Sequence, residues 1–469
     1  MLFNSLEYLI FLPLTWIAFW CIRSRRIEIM LVASYVFYAS WSIPYAAMVF
    51  GLVVVNYLFG LALARARRHR LLLGAFIAFD LGVLAVFKYL DFGVASLATL
   101  ANAVLGISLA PTVLGFVLPL GISFFTFEFI HYLVDIYRGD LPVHSFSKFH
   151  VFIAFFPTQI AGPIKRFQQF VPSLASLGHF DAGLAREGIW LIGRGLMKKV
   201  LLADRLGRIA SAGFQAADLG AIGTTDAWIS TLAFSLQIFF DFSGYTDIAR
   251  GSAALFGFRI PINFDAPYLA ASLADFWRRW HISLSTWLRD YIYIPLGGSR
   301  RPLPVVVRNL LVTMLLGGLW HGAAWHFVVW GGLWGIGLVV DHLLRGRIAL
   351  ARTAPGRVAG WLLTQLFVLA AWTFFRAHSL GGAVVMLQGM TGQGPESRLQ
   401  TLRDSAFVGG SALALLTLSL AGRRGWRLAL PAANPHLRPV LIGAAAAVLI
   451  VVGSALLPAT REPFIYFQF

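Results

Sequence analysis

Apolar residues run along this chain in blocks of about bilayer length, separated by short polar turns. The blocks cover residues 6–22, 27–43, 45–64, 71–90, 114–136, 149–161, 228–247, 309–340, 358–375, 406–420 and 441–457. A helix needs about 20 such residues to cross the hydrocarbon core of a membrane. The 149–161 block is too short to do so alone, which predicts a re-entrant or interfacial segment. The 309–340 block has the opposite problem. It contains no Asp, Glu, Lys or Arg, and as one helix it would reach roughly 48 Å against a core of about 30 Å. A kink or re-entrant break is therefore expected near Gly317-Gly318 or Gly331-Gly332, with His321 close to it. The fold class this pattern predicts is all-α: a polytopic membrane protein without a sizeable soluble domain.

Three zones differ in texture inside what reads as one transmembrane domain over 1–469. Residues 1–110 are plain apolar helices with tight basic or Pro-containing turns. Residues 111–342 are interrupted, aromatic and rich in polar residues within apolar surroundings, so chemistry is expected there. Residues 343–469 return to plain spans, linked by Arg/Pro/Gly loops at 345–357 and 422–438. No repeat of 20–50 residues is visible, unlike the paired halves of many transporters.

Composition agrees: 58% of residues are hydrophobic and 13% charged, outside the range of ordinary soluble domains. The net charge of +17 raises the question of nucleic acid, but its distribution answers it. Arg23, Arg25 and Arg26 form one cluster and Arg65, Arg67, Arg68 and Arg70 another, two spans apart and so on the same face. The positive-inside rule makes that face cytoplasmic and puts the N terminus outside. The uncharged turn Trp41-Ser42-Ile43-Pro44 then falls outside. The bilayer is the expected partner, and nucleic acid is not. Cys21 is the single cysteine, so no intrachain disulfide or cysteine-ligated metal centre is available. The first segment lacks a basic leader and a small-residue cleavage site and is read as a retained span.

Four constellations carry candidate chemistry. Glu128, His131 and Asp135 stand at i, i+3 and i+7, which puts them on one helical face as a structural polar seam or a relay. Asp241, Ser243, Tyr245 and Asp247 follow an apolar run. The two aspartates are six apart and do not share a face, so a network supporting a cavity fits better than a paired-carboxylate mechanism. Residues 276–291 read as an interfacial amphipathic helix. Phe276, Trp280, Leu284, Trp287, Leu288 and Tyr291 make its apolar stripe, and Arg278, Arg279, Ser285 and Arg289 its polar side. His281 shares a stripe with Trp277, Leu284 and Leu288 and so faces inward, as a core residue or a functional one. The basic face suits lipid head groups or an acidic carrier.

The sharpest candidate is His321, in Leu319-Trp320-His321-Gly322. An imidazole in a bilayer-length uncharged run needs a partner or a task. His326 lies five residues on, roughly 140° around a helix, so the two would not chelate one metal without a break. The intervening Glu of a zinc-protease helix is missing, and no Gly-x-Ser-x-Gly elbow supplies a serine nucleophile. No metal site is expected. What remains is a histidine acting as general base, alone or with a second polar residue.

Taken in order, these segments resemble the membrane-bound O-acyltransferase (MBOAT) family, in its bacterial AlgI-like polysaccharide O-acetyltransferase branch. The likeness runs nearly the full length. It includes Met1-Leu2-Phe3, residues 121–127, Phe156-Pro157 leading to Ala161-Gly162-Pro163-Ile164, residues 241–247, 276–281 and 288–298, Trp320-His321-Gly322, and the ending at 463–469.

The resemblance implies that His321 is the catalytic histidine and His281 the second signature polar position. It implies a ring of tilted helices around a thin core, with a tunnel joining the two faces. Trp320, Trp277, Asp241, Ser243, Tyr245, Asp247, Arg278 and Arg279 become candidates for lining the tunnel or binding substrate. It further implies no bound cofactor, an acyl thioester co-substrate (acetyl-CoA or an acyl carrier protein) on the cytoplasmic side, a polysaccharide acceptor outside, and a separate periplasmic acetyltransferase as partner. D-alanyl transfer, peptidoglycan O-acetylation and, outside enzymes, a polysaccharide export channel are the alternatives. Thr158-Gln159-Ile160, Phe239, Arg250, His326 and Trp334 depart from the family pattern. They bear on which acyl group or acceptor is used.

Overall fold

In the computed structural model, which describes residues 1–66, 69–110, 114–344, 353–397, 400–423 and 464–465, the regular elements are helices throughout. Arg67 and Arg68, most of the 345–357 and 422–438 loops, the 441–457 block, and residues 463 and 466–469 of the ending lie outside the described residues. Among the described residues, six helices are long and apolar enough to cross a membrane: Ile43–Arg65, Arg70–Leu105, Leu303–His321, Trp325–Leu344, Ala354–Arg376 and Leu402–Arg423. The chain divides into two compact units, Met1–Ile189 with Ala249–Pro261, and Trp190–Ile248 with Ile262–Phe469. The middle zone of the sequence contributes to both.

In the first unit, α1 (Leu6–Cys21) and α2 (Arg26–Ala39) are joined by a 109° bend. With 16 and 14 residues they reach about 24 and 21 Å, short of the hydrocarbon core. Two full spans were expected here; the bend makes a broken span or a re-entrant pair instead. Arg26 pins the joint. It is buried, donates to the carbonyls of Phe19, Leu177 and Gly178, and lies 4.4 Å over the Trp20 ring. Helices α3 (Ile43–Arg65), α4 (Arg70–Leu84) and α5 (Leu90–Leu105) follow, with a π-helical turn at Ala85–Tyr89 linking the last two. Serine side chains start α1 and α3: Ser5 and Ser42 accept from the backbone N–H groups of Tyr8 and Tyr45, satisfying donors that a helix end leaves open.

The 114–136 block does not form one span. It is irregular to Gly121, and α6 (Ile122–Arg138) is then buried on nearly all sides. Gly121 has φ +74°, and a Cβ there would stand 2.5 Å from the Gln159 carbonyl oxygen, so only glycine fits. The 149–161 block makes a nine-residue helix, α7 (Phe146–Ala154), and then a run of turns, in keeping with its length. Next come α8 (Phe167–Ala175), α9 (Ala182–Met197) and, after a π-helical turn at Lys198–Ala203, α10 (Asp204–Asp218). The 228–247 block sits within α11 (Thr224–Leu255), a 32-residue helix carrying many buried polar residues.

In the second unit, the expected 276–291 helix is divided. Helix α12 (Leu273–Arg279) and α13 (Ile282–Leu288) flank Trp280 and His281, and Arg289–Tyr293 continues as a π-helical turn. The 309–340 block is divided too, into α14 (Leu303–His321) and α15 (Trp325–Leu344), with Gly322 fully extended between them. The break expected in this run exists, but at Gly322 rather than at either glycine pair. Those pairs serve packing instead. A Cβ on Gly318 would lie 2.3 Å from the Phe327 carbonyl oxygen and one on Gly331 2.4 Å from that of Met314. Small residues at 318 and 331 thus let the backbones of two antiparallel helices touch, as at many membrane helix interfaces. Helices α16 (Ala354–Arg376), α17 (Leu380–Met390) and α18 (Leu402–Arg423) complete the described part.

Candidate active site

His321 is the last residue of α14, held where the helix must end because Gly322 is extended. It is 7% exposed. Its ring stands edge-on to Trp320 (4.9 Å between centroids), Trp330 (5.0 Å) and Phe375 (5.0 Å). His281 packs against the same tryptophan, 6.1 Å from the Trp320 ring and 4.7 Å from Phe242. The two histidines thus belong to one buried aromatic cluster and share Trp320 as a neighbour. Trp277 extends it, 6.1 Å from Trp330 and 5.1 Å from Trp334.

His281 is fully buried and has left-handed backbone geometry, φ 43° and ψ 54°. A non-glycine residue there carries strain that its surroundings must hold in place. Asn263 does so. Its carbonyl accepts from Ile282 N–H at 3.0 Å and its side-chain oxygen from Ser283 N–H at 3.1 Å, while its amide reaches Thr246 Oγ1 at 3.5 Å. Asp265 N–H donates to the Arg279 carbonyl on the other side of the break. Sequence reasoning missed Asn263, because its side-chain partners lie 17 residues before it and 20 after it and leave no local pattern. Burial pushes the His281 pKa down to about 3, so the imidazole is neutral at physiological pH.

The carboxylates of α11 are engaged separately. Asp241 accepts from Lys199 Nζ at 2.7 Å and from Ile465 N–H at 3.0 Å, and Lys199 also reaches Asp204 at 2.9 Å. Tyr245 packs on Phe464 at 5.1 Å, and Lys199 lies 4.6 Å over that ring. Asp247 takes both nitrogens of an Arg194 fork, at 2.8 and 2.6 Å, and Lys198 at 2.7 Å. Ser243 is buried beside Phe242. Lys199, Lys198 and Arg194 were not singled out from the sequence. Their signal was two adjacent lysines closing an apolar helical run.

Arg278 is largely exposed and reaches Asp275 at 3.3 Å, and Arg279 pairs with Asp275 at 2.9 Å. His326 does not join His321. Its Nδ1 lies 3.0 Å from the Phe374 carbonyl oxygen. Glu128, His131 and Asp135 belong to the first unit. There Glu128 meets Lys165 at 2.8 Å, Lys165 also donates to Thr158, Asp135 accepts from Gln168, and His131 stacks with Phe167.

Two buried histidines share one aromatic cluster in a chain that, among the described residues, has six helices long and apolar enough to cross a membrane. Residues 103–381 match the model of MBOAT, the membrane-bound O-acyltransferase family. The chain belongs to that family: it is an O-acyltransferase and a multi-pass membrane protein. It is 40% identical to the probable alginate O-acetylase AlgI of Pseudomonas aeruginosa, covering 90% of this chain and 82% of that protein. It is 38% identical to the protein of the same name from Pseudomonas putida, over the whole of both. A peptidoglycan O-acetyltransferase of Helicobacter pylori is 35% identical over 77% of this chain and 73% of its own length.

Proposed function

We propose that the chain takes an acetyl group from a cytoplasmic thioester and passes it across a bacterial inner membrane toward hydroxyls of an extracytoplasmic polysaccharide. The observation that carries this reading is the packing of both His321 and His281 against Trp320 in one buried cluster. The names of the similar proteins, two alginate O-acetylases and a peptidoglycan O-acetyltransferase, support the acyl group and the acceptor class. A tunnel through the family's ring of helices brings donor and acceptor to that cluster from opposite faces. A periplasmic acetyltransferase receives the group for final transfer.

His321 takes the proton of the acceptor hydroxyl, whose oxygen attacks the thioester carbonyl carbon. A tetrahedral oxyanion forms, collapses with loss of thiolate, and the imidazolium returns its proton to the sulfur. His281, neutral and clamped by Asn263, orients the acceptor through a hydrogen bond. General base catalysis supplies about 10²–10⁴-fold, so positioning must supply much of the rest.

The test is purified protein together with its periplasmic acetyltransferase, given acetyl-CoA or an acetylated carrier, with release of free thiol and acetylation of alginate oligosaccharides measured together. The reading expects both signals from the wild type and neither from His321→Ala. Thiol release unaffected by His321→Ala sinks it. Transfer to peptidoglycan fragments and not to alginate moves the acceptor to the peptidoglycan reading.

A further inference from the structure

The cluster around His321 holds four buried indole N–H groups, those of Trp277, Trp330, Trp334 and Trp372; Trp372 interacts with the Tyr268 hydroxyl, and the other three have no hydrogen-bond acceptor among the described residues. Their side chains are 9%, 1% and 0% exposed. Native interiors seldom leave such donors unsatisfied, because each gives up its bond to water and receives nothing in return. One orphan is an accident of packing; three in mutual ring contact beside the candidate base are a donor set. Trp330 is the nearest, 5.0 Å from His321 between ring centroids. Trp277 stands 6.1 Å from Trp330, and Trp334 packs behind both.

We propose that the indole N–H of Trp330, seconded by that of Trp277, is the oxyanion donor of the acyl-transfer step. The inference rests on the acyl-transfer reading and names how its charge is held. When the acceptor oxygen bonds to the thioester carbon, the carbonyl π pair moves onto the carbonyl oxygen. That oxygen becomes an anion beside His321, where a fixed N–H in a dry aromatic shell stabilises it more than the neutral carbonyl. The proton taken by His321 stays on the imidazolium until the carbon–sulfur bond breaks and the thiolate receives it. Trp334, stacked on Phe276 at 5.3 Å, positions the other two.

The test separates the N–H from the ring. Benzothienylalanine at position 330 replaces N–H by sulfur at nearly constant shape, and Trp330→Phe removes the N–H with part of the ring. With acetyl-CoA as donor, both substitutions should lower kcat by about 10²-fold relative to the wild-type enzyme, the usual loss for one oxyanion donor. KM for the thioester should stay within about 3-fold, because the interaction exists only in the transition state. The same isostere at 277 should give a smaller kcat loss, and at 334 none. An active isosteric variant at 330 overturns the inference even if Trp330→Phe is impaired, since only packing would then matter. A matched rise in KM overturns it as well. Failure of the underlying reading looks different: the wild type releases no thiol, or His321→Ala releases it normally, and the inference falls with it.

Discussion

The protein buries polar groups in two ways. On α6 of the first unit, Glu128 is closed by Lys165, which also donates to Thr158, and Asp135 by Gln168 and Arg138. Around His321 in the second unit the surroundings are rings: Trp320, Trp330 and Phe375, with Trp277 and Trp334 beyond. A charge met by its opposite is spent on holding helices together. A titratable ring set among aromatics, with N–H donors still open, keeps its capacity for a passing substrate. The contrast predicts that substitutions in the first setting cost folding and those in the second cost turnover.

The largest expected effect is on His321. His321→Ala should lower acyl transfer by about 10²–10⁴-fold with undiminished protein in the membrane, read by thiol release against immunoblot level. Turnover near wild type would erase the contrast. Lys165→Met should do the reverse. It strands Glu128 in the interior at a cost of about 3–5 kcal/mol, so yield and Tm in detergent fall while activity per folded molecule holds. Pairing it with Glu128→Leu should recover most of the Tm; a double variant as unstable as the single one argues against an uncompensated charge.

Asn263 sharpens the comparison, being a structural residue inside the functional setting. Asn263→Ala leaves Ser283 N–H without its acceptor, a loss of about 1–3 kcal/mol, and should lower kcat roughly tenfold or more as His281 shifts. Asn263→Asp, which keeps an acceptor, should restore most of it. Equal damage from both substitutions would remove Asn263 from the site. The smallest effect is on pH dependence. His281 takes a proton near 6.5 in the unfolded chain but only near 3 in the fold. Between those values the unfolded state binds more protons, so this group's contribution to stability is complete above about pH 6.5 and declines as pH falls. The slope is at most about 1.4 kcal/mol per pH unit. A Tm profile from pH 7.5 to 5 should therefore be flatter in His281→Asn than in the wild type, and parallel profiles would count against a buried neutral imidazole.

Run length and charge made much of this legible. The length of the 309–340 block required a break near His321, and the inward stripe placed His281 in the core. What stayed hidden depends on contacts distant in the chain. The helical period of residues 276–291 continues across Trp280 and His281, so nothing local marks the break; Asn263 and the strained backbone of His281 enforce it. Gly322, rather than the paired glycines, ends α14, because Gly318 and Gly331 are committed to bringing two backbones together. The 6–22 and 27–43 blocks have the composition of spans, and the burial of Arg26 against the carbonyls of Phe19, Leu177 and Gly178 bends them apart. The lysines that pair with Asp241 and Asp247 come from a neighbouring helix some forty to fifty residues earlier, beyond any local pattern.

The left-handed backbone at residue 281 narrows the alphabet available there. A replacement must tolerate positive φ, which favours Gly, Asn and Asp, and must fill a sealed aromatic shell, which disfavours Gly and a bare carboxylate. Asparagine alone meets both demands while offering a donor and an acceptor. Alanine, the usual probe, changes the joint and the side chain together and so mixes two effects in one number. Libraries aimed at altered acceptor choice should therefore hold residue 281 to histidine and asparagine, and vary the rings around it.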